Sequence, residues 1–74
     1  KHKVKFEYAA EAFLDPFVCY LDEQIVGSEL RERLVGMTTS WVLLLVVYVL
    51  RGDVIRIVSA RMVTKAEREI YENQ

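Results

Sequence analysis

Trp41 to Leu50, WVLLLVVYVL, is a run of ten apolar residues without a charge, and it constrains what the rest of the chain can become. A helix that crosses a bilayer needs about twenty such residues, and this run is rich in Val, Leu and aromatics, so the expectation is a strand buried on both faces. Arg51-Gly52-Asp53 and a second apolar run, Val54 to Val58, come next. Gly52 and Asp53 are turn-forming types, so the two runs should fold back as an antiparallel hairpin at the centre of a sheet.

A chain of 74 residues makes one domain, 1–74, with a core that is marginal for its size. Cys19 is the one cysteine and His2 the one histidine, so neither an internal disulfide nor a cluster with metal-ligand spacing is available, and no cofactor is expected. Cys19, between Val18 and Tyr20, reads as a small buried hydrophobe, and a lone thiol fits a reducing cytoplasm. Hydrophobic residues make up 53% of the chain, which predicts a homo-oligomer or a partner covering an exposed apolar face. Ten basic against eleven acidic residues give a net charge of −1, so any grip on nucleic acid must come from a local patch. No membrane segment is expected.

Along the chain, Phe6, Ala9, Ala10 and Phe13 have helical spacing, and the helix should end at Asp15-Pro16 because the proline ring disfavours helical geometry just before it. Phe17 to Leu21 predicts a strand and Asp22 to Ser28 a loop, with a further strand from Leu30 to Met37. In the strand after the hairpin turn, simple alternation puts Ile55, Ile57, Ser59 and Arg61 on one face, with Val54, Arg56, Val58 and Ala60 on the other. Thr64-Lys65-Ala66-Glu67 has the form of a capping box and predicts a helix from Lys65 to about Asn73. The result is an α+β fold, a small antiparallel sheet of about four strands with an N-terminal and a C-terminal helix.

Several segments together resemble the BrnT family of ribonuclease toxins. The most specific is Ile55-Arg56-Ile57-Val58-Ser59-Ala60-Arg61 followed by Thr64-Lys65-Ala66-Glu67-Arg68 and Tyr71-Glu72. Upstream, Lys1-His2, Phe6-Glu7, Ala9-Ala10, Phe13-Leu14-Asp15-Pro16, Val26-Gly27, Glu29 and Arg31 extend the resemblance over nearly the whole chain. It implies a RelE-like fold and a cytoplasmic, metal-independent endoribonuclease that inhibits translation. It also implies neutralisation by a BrnA-like antitoxin, with DNA contacted only through that antitoxin. Family members carry a short strand and a helix ahead of the Lys-His pair, so the natural start is expected upstream, and its loss would uncover apolar surface. Lys3, Lys5, Leu30, Glu32 and Arg33 depart from the family pattern, which bears on activity more than on fold.

Cutting RNA without a metal requires a base for the 2′-hydroxyl, cations for the charge that builds on phosphorus, and a proton for the leaving 5′-oxygen. Arginine suits the second task, because its planar fork binds two phosphate oxygens and stays charged. Arg31, Arg56 and Arg61 match arginines of the family. Arg56 and Arg61 have opposite parity, so without a bulge they cannot face one phosphate; Arg61 is preferred, with Ser59 beside it and Arg31 on a nearby strand. His2 and Glu29 are the alternatives for the base, and Lys1, Arg56, Tyr71 and Lys65 are candidates for holding RNA. Each has a plainer role open to it: Glu29 and Lys65 as solvated surface, Arg56 as half of an ion pair, Tyr71 as a residue packing the last helix. A catalytically inactive, toxin-like interaction module is the competing functional reading.

Overall fold

The structure, a computed structural model, describes residues 4–74. The elements in chain order are α1 (Phe6–Ala12), β1 (Cys19–Tyr20), β2 (Gln24–Val26), β3 (Glu29–Met37), β4 (Leu43–Arg51), β5 (Val54–Met62) and α2 (Lys65–Glu72). The strands form one antiparallel sheet in the order β1-β3-β4-β5, with β2 sharing the edge of β3 that β1 also uses. The α+β architecture expected from the sequence is therefore present.

The apolar run is the central strand. Leu43 to Val46, Tyr48 and Val49 are all buried, and β4 returns into β5 through a two-residue loop in which Arg51 pairs with Val54. Gly52 takes φ +62 at the first loop position, where a hairpin turn of this kind calls for glycine. Trp41, however, lies outside the strand. Thr38 N–H donates to the Val42 carbonyl at 2.9 Å and Trp41 N–H to the Thr38 carbonyl at 3.1 Å, while the Thr38 hydroxyl accepts from Ser40 and Val42. This closed turn holds Trp41 at φ +64, and the residue is 84% exposed.

The sheet has a fifth strand because Gln24-Ile25-Val26, expected to be loop, pairs with Arg31, Leu30 and Glu29. Three residues are too few to display alternation in the sequence.

Each face of the sheet carries one helix. On the first, Ala9 and Ala12 of α1 meet Leu34, Leu44, Val46 and Tyr48, and Phe13 packs edge-on against Tyr48 with ring centroids 5.0 Å apart. The helix seats Ala9 and Ala12 rather than Phe6 and Ala10, because small side chains let it lie close to the sheet. Closeness is enforced at Gly36, where an added Cβ would lie 2.4 Å from the Ala12 carbonyl oxygen. On the second face, Val35, Leu43 and Leu45 form the buried cluster, with Tyr71 of α2, Cys19 and Val47 packed against it. The capping box of α2 is present: Thr64 Oγ1 accepts from Glu67 N–H at 3.2 Å and Glu67 Oε1 from Thr64 N–H at 2.9 Å.

The two helices are joined through Asp15. Its carboxylate accepts from Phe17 N–H at 2.9 Å, Met37 N–H at 2.8 Å and the Tyr71 hydroxyl.

Candidate ribonuclease site

The bulge in β5 decides which arginines can act together. Ser59 is opposite Val47 and Ile57 is opposite Tyr48, so Val58 has no partner on β4. The extra residue reverses the alternation. Arg56 opposite Val49, Ser59 opposite Val47 and Arg61 opposite Leu45 consequently all lie on the α2 face. The expectation that Arg56 and Arg61 point to opposite faces is thereby corrected, and so is the placing of Ser59 on the Ile57 side. An isolated bulge leaves no mark in the sequence here, because Ile57 and Val58 are both apolar and either could face the core.

The same face gathers Glu29 and Arg31 from β3 with Arg51 from the end of β4. Glu29 bridges the two arginines, accepting from Arg31 Nε at 3.0 Å through Oε1 and from Arg51 Nη2 at 3.1 Å through Oε2. Arg56 completes the group, and has no carboxylate partner among the described residues. Glu29, Arg31, Val49, Arg51 and Arg56 line an open concavity of about 450 Å³ together with Phe6, Ile57 and Val58. Arg51 is the residue that sequence reasoning misses, because it reads as part of the turn. Its signal was parity: two residues after Val49, it must share the face of Val49 and Val47.

Hydrogen bonds from Arg31 and Arg51, aided by their positive charge, hold the Glu29 carboxyl below the usual range, so it is ionised at neutral pH. Two guanidiniums around one carboxylate make a site that a phosphate can enter by exchanging with that carboxylate.

Arg61 is placed differently. Its Nη1 and Nη2 donate to Glu67 Oε1 and Oε2 at 2.9 and 2.8 Å, and Nη1 also donates to the Met62 carbonyl at 3.1 Å. The Glu67 hydrogen bond pushes the Arg61 pKa up, and the same contact lowers that of Glu67. Arg61 remains half-exposed with Ser59 on its face, but its fork is occupied. Tyr71 is partly buried, its hydroxyl donating to Asp15, on the part of the face covered by α2. Burial first, and then Asp15, push its pKa up to about 12. Lys65 is exposed in the first turn of α2. Lys1 and His2 lie outside the described residues. Glu29, Arg31 and Arg56 are thus brought together, whereas Arg61 with Ser59, Tyr71 and Lys65 stand toward the other end of β5. Among the described residues no group of three or more His, Cys, Asp and Glu side chains is placed to hold a metal ion, and no helix is long and apolar enough to cross a membrane.

Residues 1–67 match the family model described as "Ribonuclease toxin, BrnT, of type II toxin-antitoxin system". The matched span ends inside α2 and includes every residue of the concavity. No curated protein matches the chain.

Proposed function

The chain belongs to the BrnT family of ribonuclease toxins of type II toxin-antitoxin systems, and from that membership we propose that its single domain cleaves RNA at the Glu29–Arg31–Arg51–Arg56 concavity. The observation that carries this reading is the convergence of three guanidiniums and one ionised carboxylate in one open hollow. Arg31, Arg51 and Arg56 grip the scissile phosphate and stabilise charge on its oxygens in the transition state. As phosphate draws Arg31 and Arg51 away, Glu29 loses the contacts that depress its pKa and becomes a better base for the 2′-hydroxyl proton. The 2′-oxygen then bonds to phosphorus, the bond to the 5′-oxygen breaks, and that oxygen takes a proton from solvent in the open hollow. The products are a 2′,3′-cyclic phosphate and a 5′-hydroxyl.

His2 is the alternative base, with Lys1 beside it as an RNA contact. Arg61, Ser59 and Lys65 serve flanking phosphates, for which Arg61 exchanges Glu67 for RNA, and Tyr71 fixes α2 beneath them. The reaction needs no metal, acts in the cytoplasm and stops translation; a BrnA-like antitoxin relieves it and provides any contact with DNA.

The test is cleavage of a labelled RNA in EDTA by purified protein freed of antitoxin. Cleavage that is abolished by Arg56→Ala, with the far-UV circular dichroism unchanged, is the expected outcome; intact RNA at all protein concentrations sinks the proposal. One observation favours the second reading, a toxin-like module that only binds a partner: Glu29 and Glu67 already engage Arg31, Arg51 and Arg61. That reading expects unchanged RNA and no growth arrest.

A further inference from the structure

Between the arginine concavity and Arg61, the α2 face of the sheet holds one more guanidinium, that of Arg33. Arg33 is opposite Val47, and Val47 is opposite Ser59. Val47 packs on the buried cluster of Val35, Leu43 and Leu45, so this row lies on the face that α2 covers in part. The register in which Glu32 faces Tyr48, continued by one residue, sets Arg31 beside Val49, and Val49 is opposite Arg56. On the other side of Arg33, Val35, Leu45 and Arg61 make a third row. Three rows therefore cross β3, β4 and β5 in succession: Arg31-Val49-Arg56, Arg33-Val47-Ser59 and Val35-Leu45-Arg61. Arg33 is half-buried, and its Nε donates to the Asp22 carbonyl at 3.0 Å, which ties the side chain to the segment between β1 and β2. Its two terminal nitrogens have no partner among the described residues, and the exposed carboxylates of Asp22 and Glu23 form no ion pair with any of these arginines.

We propose that Arg33 binds phosphate and joins the concavity to Arg61 in one groove, which holds single-stranded RNA extended along the strands; this rests on the ribonuclease reading and names its substrate class. Arg33 is a position at which the chain departs from the BrnT pattern, so family membership gives it no role. Spacing supports the assignment first. Successive rows are two residues apart, about 6.7 Å, an interval comparable to that between neighbouring phosphates of an extended strand. One backbone can thus meet Arg31 and Arg56, then Arg33, then Arg61. Width supports it next. β3 and β5 flank β4, so the walls that carry the arginines stand about 9.6 Å apart, room for one nucleic-acid strand and not for a duplex. Val47 and Val49 form the floor between them. The groove is also bounded along its length, by Arg51 at the hairpin and by α2, where Glu67 holds Arg61. With its Nε already engaged, Arg33 presents the rest of its planar fork to a phosphate at little further cost in order.

The experiment measures binding of 2′-O-methyl oligonucleotides, from a dinucleotide to an octanucleotide, across a range of salt, together with cleavage of the matching RNA. Arg33→Ala should weaken the octanucleotide about five-fold or more, weaken the dinucleotide far less, and lower the slope of log affinity against log salt by roughly 0.7. Arg33→Lys keeps the charge and gives up the Asp22 contact, so it should restore the slope, which a purely structural arginine would not do. In cleavage, Arg33→Ala should raise KM for the octanucleotide more than it lowers kcat. Thermal melts confirm that both variants fold. A slope unchanged by Arg33→Ala, or equally low in Arg33→Lys, overturns the proposal. A duplex of the same sequence bound as tightly as the single strand overturns the substrate class. Loss of affinity for the co-encoded antitoxin alone, with RNA unaffected, assigns Arg33 to a protein interface and overturns it equally. RNA that is bound with these effects but left intact removes the cleavage reading and keeps the groove; RNA that is cut without them removes the groove alone. A chain that binds no RNA removes both.

Discussion

Arg61 and Glu67 face each other as fork to fork, two parallel hydrogen bonds of 2.9 and 2.8 Å joining the end of β5 to the first turn of α2. Glu67 also closes the capping box with Thr64, so one carboxylate both starts the helix and occupies the guanidinium. Glu67→Gln keeps an acceptor for Thr64 N–H and removes the charge. The expected outcome is RNA bound more tightly, as Arg61 is released to phosphate, with stability lowered by up to about 1 kcal/mol because the pair is partly solvated. Fluorescence anisotropy with a 2′-O-methyl RNA, which binds but cannot be cut, measures the affinity. Weaker binding by this variant would remove Arg61 from the RNA surface.

Arg51 is expected to contribute one phosphate contact. Arg51→Ala should weaken the same RNA at every sequence tested and lower the slope of log affinity against log salt by roughly 0.7, the value for one contact on a single strand. An unchanged slope would mean that the hairpin end does not touch RNA.

Asp15 and Tyr71 each contribute a pH dependence to stability, one on either side of neutrality. Burial pushes the Asp15 carboxyl up, but hydrogen bonds from Tyr71, Phe17 and Met37 outweigh it and leave the pKa below its ordinary 3.8. Its contribution is complete above that value and is lost as pH falls through the depressed one. Tyr71 is raised from 10.0 to about 12, so its contribution is complete below 10 and is lost as pH rises toward 12. Urea titrations across pH should therefore show Tyr71→Phe losing about 1.5–3 kcal/mol at neutrality, the usual worth of a hydrogen bond to a charged group. The alkaline loss caused by this group should vanish in the variant.

Gly36→Ala is expected to destabilise the fold by about 1–3 kcal/mol, the range for forcing an atom into a packed interior. The new methyl meets backbone on α1, the Ala12 carbonyl, rather than a movable side chain. A midpoint of urea unfolding equal to that of the unmodified chain would show that α1 can lift at little cost.

How far the fold was legible follows from where its signals are periodic. The central hairpin and the capping box of α2 each rest on several residues that agree, and the structure has both, whereas α1 stops at Ala12, ahead of the Asp15-Pro16 boundary that a single proline suggests. β2, the Val58 bulge and the departure of Trp41 from the strand each depend on one to three residues, where tertiary pairing decides and local pattern is silent. The candidate site was legible as residue types, with Glu29, Arg31 and Arg56 all named. Their grouping was not, because it depends on the bulge and on the register between β3 and β4.

Trp41 offers a test of its own, through the left-handed backbone of the turn ahead of β4. A left-handed backbone costs an L-residue about 1–2 kcal/mol, and a glycine there loses about 0.5–1 kcal/mol through its freer unfolded chain. The indole is almost fully exposed, so little burial is at stake. Trp41→Gly should raise stability by up to about 1 kcal/mol in thermal or urea unfolding; a loss would mean that the ring packs on its surroundings.

The kink at Val58 has a consequence of another kind. Among the described residues β5 is the outermost strand on its side of the sheet, and a long, flat, unpaired strand is a template on which further chains can stack into fibrils. An unpaired residue midway along it, with a cation before it and another after it, interrupts that template. The irregularity that aligns Arg56 with Arg61 thus also discourages the molecule from polymerising through its own border.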